Sequence, residues 1–74
     1  MEKIAIDTEF IKLDSLLKFS GVADSGSVAK ELIAEGFVTY NGTVCLMRGK
    51  KVYPGDRVCV NIPDECSEEI CVEK

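Results

Sequence analysis

The side chains best suited to binding chemistry are positively charged and lie in the second half of the 74-residue chain. Arg48, Lys50 and Lys51 occupy four consecutive positions with one glycine, and the nearest acidic residues in sequence are Glu35 and Asp56. Because crowded like charges cost stability unless a partner uses them, the cluster favours an anion-binding role. We expect the glycine to keep this loop flexible. A merely solubilising loop is the alternative, since charged residues make up about 25–35% of an ordinary surface.

A second anion-binding feature is the sequence Ser25-Gly26-Ser27, which is typical of a helix start. The first N–H groups of a helix are unpaired and lie at the positive end of its dipole, and Gly26 allows a phosphate to approach closely. Lys30 follows Ser25 by five residues, roughly 7–8 Å along the helix axis, and can reach the same ligand. The alternatives are that Ser25 only caps the helix and that Lys30 is only a solvated surface residue.

The net charge of −4 is unevenly distributed along the chain. Residues 25–62 carry five basic and three acidic side chains. Residues 1–24 carry three basic and five acidic side chains, and residues 63–74 carry one basic and five acidic side chains. Charges are screened over about 8 Å at physiological salt, so a local basic patch can act despite distant acidic segments. The overall acidity therefore does not exclude a polyanionic partner.

The composition argues against catalysis and against a metal site. The chain has no histidine, the commonest general base and metal ligand, and 74 residues leave little room for a substrate pocket. Its cysteines show no Cys-x-x-Cys spacing and are expected to be free; they are Cys45, Cys59, Cys66 and Cys71. We predict no catalytic residue, metal or cofactor. The first residues do not resemble a signal peptide, and no apolar run reaches about 18 residues, so we expect a cytoplasmic protein without a membrane span.

The elements that would position these groups begin with a short strand, in which Ile4 and Ile6 alternate with small or polar residues. Two short helices follow, the first ending at Gly21 and the second running from Ser25 to Gly36. Apolar residues recur at helical spacing in both. Those expected to pack in the core of this half are Phe10, Ile11, Leu13, Leu16, Leu17, Phe19, Val28, Ala29, Leu32 and Ile33.

The second half of the sequence predicts a small sheet. Asn41-Gly42 is a strong hairpin signal because both residues accept a positive φ, and Pro54-Gly55-Asp56 forms a further turn. Extended segments are predicted over residues 37–40, 43–46, 51–53 and 57–62. For the acidic tail, residues 64–74, we expect partial order, with residues 70–72 as a short edge strand beside the N-terminal one. The fold class is therefore α+β, with two short N-terminal helices packed on a small, mostly antiparallel sheet of about four to five strands.

The chain resembles the S4 domain, an RNA-binding fold first described in small-subunit ribosomal protein four, over about residues 12–60. The motifs that carry the resemblance are Lys12-Leu13-Asp14, Ala29-Lys30, Leu32-Ile33-x-x-Gly36, Val38-Thr39-Tyr40-Asn41-Gly42 and Val52-x-Pro54-Gly55-Asp56-x-Val58. Arg48-Gly49-Lys50-Lys51 and the extra N-terminal strand are similar to the small bacterial YaaA-like branch, in which the domain is nearly the whole protein. We therefore expect one domain over residues 1–74.

In the resembling family, the two helices and the hairpin, called the αL motif, flank one concave surface. The resemblance implies that the candidate residues converge there on structured RNA, with ribosomal RNA as the plausible target. The full candidate set is Lys12, Ser25, Gly26, Ser27, Lys30, Arg48, Lys50 and Lys51. Shape-directed contacts to phosphates, with little base reading, are expected for such a target. We expect the protein to be a monomer.

The alternative function is a protein–protein adaptor or ribosome-associated accessory factor that has weak or lost RNA affinity. Many family members carry a cation directly after the serine that starts the second helix, whereas Ser25 is followed here by Gly26. The acidic tail also favours this alternative. RNA binding predicts an affinity that falls steeply with salt, which an adaptor would not show.

Overall fold

The computed structural model describes residues 2–63 and 67–74 of the chain. Within these ranges the α+β fold predicted from the sequence is confirmed. The elements are β1 (Glu2–Ala5), β2 (Ile11–Lys12), α1 (Leu13–Phe19), α2 (Gly26–Ala34), β3 (Val38–Tyr40), β4 (Thr43–Val44), β5 (Lys51–Val52), β6 (Arg57–Asn61) and β7 (Ser67–Glu73). Neither helix is long and apolar enough to cross a bilayer.

The two helices bury one apolar stripe each. The leucines at 13, 16 and 17 of α1 are fully buried, as are Ala29 and Ile33 of α2. Phe19 and Val28, which were expected in the core, are instead 66% and 37% exposed. Both lie in a terminal turn, Phe19 as the last residue of α1 and Val28 as the third residue of α2. Helical spacing alone therefore does not decide which apolar residues of these helices enter the core.

Five strands of the described residues form the main sheet in the order β1-β7-β6-β3-β4, and β2 pairs with β5 in a separate antiparallel ladder. Alternate residues of the main sheet face the helices, as the period of two requires. Its core side chains are Ile4, Val38, Val58, Val60, Ile70 and Val72. Among the cysteines within the described ranges, those at 45, 59 and 71 carry free thiols. Cys66 lies outside those ranges.

The C-terminal segment differs from the expected partially ordered tail. Ser67–Glu73 is a seven-residue strand that lies between β1 and β6, parallel to the first and antiparallel to the second. It neighbours the N-terminal strand, as expected, but it is an interior strand rather than a short edge strand. Ile70 and Val72 are fully buried, and Glu73 is exposed. Residues 64–66 of the expected tail lie outside the described residues.

Both predicted turns are present. Asn41 and Gly42 have φ values of 50° and 90° and connect β3 to β4, and Gly55 has a φ of 97° in the turn before β6. The strand after the hairpin is shorter than predicted, because β4 ends at Val44 and Leu46 is 63% exposed. The chain therefore leaves the main sheet two residues earlier than the apolar run indicated.

Three hydrogen bonds converge on the carboxylate of Asp56 and tie the two turns together. The donors are the Tyr40 hydroxyl, the Asn41 side-chain amide (3.3 Å) and the Tyr53 backbone N–H (2.9 Å). Burial acts to raise the pKa of Asp56, but these hydrogen bonds and the nearby charge of Lys50 outweigh it, so the pKa lies below its ordinary value. The hydrogen bond to Asp56 raises the pKa of Tyr40 to about 12.

The interior position of β7 predicts a large cost for shortening its buried side chains. Ile70→Ala should lower the free energy of unfolding by about 2–4 kcal/mol, since it removes a fully buried side chain and leaves a cavity. Glu73→Ala, an exposed position of the same strand, should change it by less than about 0.5 kcal/mol. Urea denaturation followed by circular dichroism measures both values. Equal midpoints for the two variants would contradict an interior β7.

The Asp56 network predicts a specific dependence of stability on pH. Because the pKa of Asp56 is lower in the folded than in the unfolded protein, its carboxylate stabilises the fold above the unfolded pKa of about 3.8. This contribution is lost as the pH falls through the folded-state pKa. Asp56→Asn should lower the free energy of unfolding by about 1 kcal/mol at neutral pH. In this variant the free energy of unfolding should also decrease less as the pH is lowered, because the titrating carboxylate is gone.

The control for this experiment is Asp7→Asn, since Asp7 is exposed and its side chain forms no hydrogen bond or ion pair with another described residue. In urea denaturation at several pH values, the free energy of unfolding of the control should decrease in acid as it does in the parent protein. An unchanged pH profile in Asp56→Asn would show that the network does not stabilise the fold.

Candidate nucleic-acid interface

The loop that carries the basic residues is anchored at both ends. Cys45 is half-buried against the core, and its N–H donates to the carbonyl of Val38 at 3.0 Å. Further along, the N–H of Lys50 donates to the carbonyl of Met47 at 3.1 Å and closes a tight turn. The side chains of this turn therefore project from a defined backbone.

The same loop is attached to the start of α1. The N–H of Leu13 donates to the Lys50 carbonyl at 2.9 Å, and the N–H of Asp14 donates to the Arg48 carbonyl at 3.1 Å. These are first-turn N–H groups, which have no partner within their own helix. The loop thus caps α1, and in return α1 fixes the loop. The flexibility expected from Gly49 is not what the structure shows, because hydrogen bonds hold the backbone on both sides of it.

Two lysines of the candidate set are directly opposite each other. In the ladder between β2 and β5, Lys12 pairs with Lys51, and both side chains are exposed. Opposite residues of antiparallel strands lie about 4.5–5.5 Å apart and point to the same face. Like charges in this arrangement destabilise a sheet. The structure therefore brings together four of the candidate residues, which we call the cation cluster: Lys12, Arg48, Lys50 and Lys51.

Aromatic rings hold two of these ammonium groups in place. The Lys50 ammonium lies 4.9 Å from the centre of the Tyr40 ring, and the Lys51 ammonium lies 5.0 Å from the centre of the Phe10 ring. A cation over an aromatic face keeps its full charge, and the contact contributes about 0.5–1 kcal/mol at an exposed site. The rings therefore orient the charges without neutralising them.

No carboxylate forms an ion pair with the cation cluster among the described residues. An ion pair between other described residues joins Arg57 on β6 to Glu69 on β7, with 3.9 Å between the nitrogen and oxygen atoms. Asp56 is close enough to Lys50 for the charge of the lysine to contribute to its lowered pKa, but its oxygens are already hydrogen-bonded within the turns. The positive charge of the cluster therefore exceeds the negative charge that Asp56 places beside Lys50.

The start of α2 has the geometry predicted for it. Ser25 is the N-cap, and its hydroxyl accepts a hydrogen bond from the N–H of Val28 at 3.3 Å. The N–H groups of Gly26 and Ser27 donate to no other described residue. Lys30 is exposed on the following turn. The capping role of Ser25 is thus observed, and it leaves two N–H groups at the positive end of the helix accessible.

The cation cluster and the start of α2 lie at opposite ends of α1. The cluster contacts Leu13 at the start of this helix, whereas α2 follows from its other end after a short connection. Seven helical residues span about 10 Å. No hydrogen bond between described residues links the two groups. Convergence of all eight candidate residues on one RNA therefore stays a prediction.

Sequence reasoning missed three features of this surface: the opposed lysine pair, the aromatic supports and the exposed apolar side chains of the loop. Lys12 and Lys51 are far apart in sequence, so only the pairing of β2 with β5 reveals their contact. Leu46 and Met47 could have indicated an exposed apolar surface, since they follow a strand and directly precede the basic residues of the loop. They are 63% and 68% exposed.

The chain is similar to known proteins. It is 44% identical over 55 residues to the "Probable ribosome maturation protein RlbA" of Bacillus subtilis (strain 168), a match that covers 74% of this chain and 78% of that protein. Its fold is similar to that of Heat Shock Protein 15 from Vibrio cholerae, solved as a trimer, with a TM-score of 0.75 and 26% identity. That match covers 89% of this chain, which spans 65% of the length of the other.

The family model described as "S4 domain" matches residues 4–67. This range includes both helices, the β3–β4 hairpin, the loop with the basic residues and the turn at Asp56. The resemblance found in the sequence is thereby confirmed over a longer stretch than residues 12–60. The chain belongs to the S4 domain family.

Proposed function

We propose that this protein binds structured RNA, with ribosomal RNA as its target, through phosphate contacts made by the cation cluster and the start of α2. The observation that carries the proposal is the opposed pair Lys12 and Lys51, which lowers the stability of the free protein and has no described carboxylate partner. A phosphate between the two ammonium groups would remove their repulsion. The pair is thus better suited to the bound than to the free state.

The similar proteins support the same target. One is named as a probable ribosome maturation protein, and S4 domains bind RNA. Lysine side chains and helix N–H groups contact phosphates and so read the shape of an RNA rather than its sequence. We propose a binding role in the cytoplasm without catalytic activity. The monomeric state expected from the sequence is a prediction that light scattering of the purified protein checks.

Neutralising the loop tests the proposal directly. The triple variant Arg48→Gln, Lys50→Gln and Lys51→Gln should bind a ribosomal RNA stem–loop about 100-fold more weakly than the parent protein near physiological salt. The slope of log affinity against log salt should become shallower by about two to three, since each lost phosphate contact releases one counterion fewer. Fluorescence anisotropy of labelled RNA over a salt series measures both quantities.

The matched control removes the same charge elsewhere. This variant combines Lys3→Gln on β1, Arg57→Gln on β6 and Lys74→Gln after β7, and none of these positions shares an element with a candidate residue. This variant should keep the parent affinity to within a few-fold. Equal losses in both triple variants would mean that net charge, not the cation cluster, governs binding, and a salt-independent affinity of the parent would contradict phosphate recognition.

The opposed lysine pair predicts effects of opposite sign on stability and on binding. Lys12→Gln should raise the free energy of unfolding by about 0.2–0.5 kcal/mol at low salt, because it removes a like-charge pair and a cation from the start of α1. The same substitution should weaken RNA binding and reduce the salt slope by about one. Urea denaturation and the anisotropy titration give the two values, and a loss of stability would argue that Lys12 has a structural role.

A protein–protein adaptor is the second candidate, and the exposure of Phe19 favours it. This ring is 66% exposed at the end of α1, and large exposed apolar side chains are frequent at protein interfaces. An adaptor would bind a ribosomal protein with little salt dependence, and Phe19→Ala would weaken that binding. Co-sedimentation of the parent and Phe19→Ala proteins with ribosomal subunits, before and after nuclease treatment, separates this function from RNA binding.

A further inference from the structure

A shallow apolar groove lies directly beside the cation cluster. Three apolar side chains of the hairpin and loop region are largely exposed there: Val44 at 55%, Leu46 at 63% and Met47 at 68%. Together with Tyr40 and Lys50 they line a groove of about 240 Å³. Single exposed apolar residues are ordinary, but a contiguous group of them marks a surface that contacts a partner.

The backbone holds these side chains outward before any partner arrives. Cys45 turns inward against the core, and its N–H is bonded to the carbonyl of Val38. The turn closed by the hydrogen bond from Lys50 to Met47 then fixes the other end of the segment. Leu46 lies between these two anchors. Its exposure follows from a constrained backbone, so a bound group meets a preformed apolar surface.

The size of the groove limits what can occupy it. Sites for drug-sized ligands measure about 300–1,000 Å³, and an α-helix with its side chains is about 10–12 Å wide. A groove of about 240 Å³ suits one flat ring system. Its rim includes the Lys50 ammonium, which lies over the Tyr40 ring, and no acidic side chain is among the lining residues.

We propose that this groove receives one unpaired base of the RNA whose phosphates bind the cation cluster. The inference rests on the proposed function and deepens it, because it specifies the class of RNA. The target would be a bulge or loop next to a stem rather than an uninterrupted duplex. In a continuous helix the bases are stacked and paired, and no base is free to enter an apolar groove.

Charge complementarity favours a nucleotide over an apolar protein segment as the occupant. A nucleotide presents an apolar ring face beside a negatively charged phosphate, and the groove places apolar side chains beside Lys50, with Arg48 and Lys51 next in the chain. Every base has an apolar face, so such a contact selects unpaired nucleotides without strong sequence preference. An apolar peptide would gain nothing from the cations.

The test uses two RNA hairpins that are identical except for one unpaired uridine inserted in the stem of the second. The parent protein should bind the bulged hairpin about tenfold more tightly than the perfect one. The double variant Leu46→Ala and Met47→Ala should lose this preference while keeping the parent affinity for the perfect hairpin. Phe19→Ala, which removes an exposed apolar side chain elsewhere, should keep both affinities.

Circular dichroism of the double variant checks its fold, which two exposed positions should leave intact. Equal, salt-dependent binding of the two hairpins by the parent protein would overturn the inference and leave the proposed function standing. Absence of salt-dependent binding to either hairpin would overturn both. If the double variant keeps the preference for the bulge but no longer associates with nuclease-treated ribosomal subunits, the groove binds protein and the inference is wrong.

Discussion

The arrangement of the second half of the chain depends on the hydrogen bonds that the Asp56 carboxylate accepts. This carboxylate accepts hydrogen bonds from the turn of the β3–β4 hairpin and from its own turn before β6. Asn41 adds two more links, because its N–H donates to the Arg57 carbonyl and its side-chain oxygen accepts from the Arg57 N–H. Two turns that are separate in sequence thus behave as one rigid unit, and the loop between them is held at both ends.

That rigidity explains how a small domain can keep like charges close together. Lys12 and Lys51 face each other in a ladder of only two residue pairs, which gains little from its own hydrogen bonds. Packing maintains the ladder, since Val52 within it and Leu13 directly after it are fully buried. Stability that arises in the core therefore supports an arrangement at the surface that is unfavourable in the free protein. Such local conflict between folding and charge is expected at a binding site.

The sequence predicted the parts of the structure that depend on neighbouring residues. Helix α2, its Ser25 cap and the turn at Asn41-Gly42 follow from local chemistry, and each is present. The basic candidate residues could be identified by type, but the contact between Lys12 and Lys51 could not, because these residues are distant in sequence. The role of β7 was underestimated because Glu68 and Glu69 indicate a solvated segment, whereas burial of Ile70 and Val72 depends on pairing with two distant strands.

The parallel pairing of β1 with β7 has a consequence for the order in which the chain folds. Glu2 pairs with Ile70, so this contact closes a loop that includes almost every other residue. Closing so long a loop is entropically expensive, whereas the helices and the hairpin involve only near neighbours. During synthesis, β1 emerges before β7 and stays without this partner strand until β7 has been made. Strand β1 is therefore among the last elements to be incorporated into the sheet.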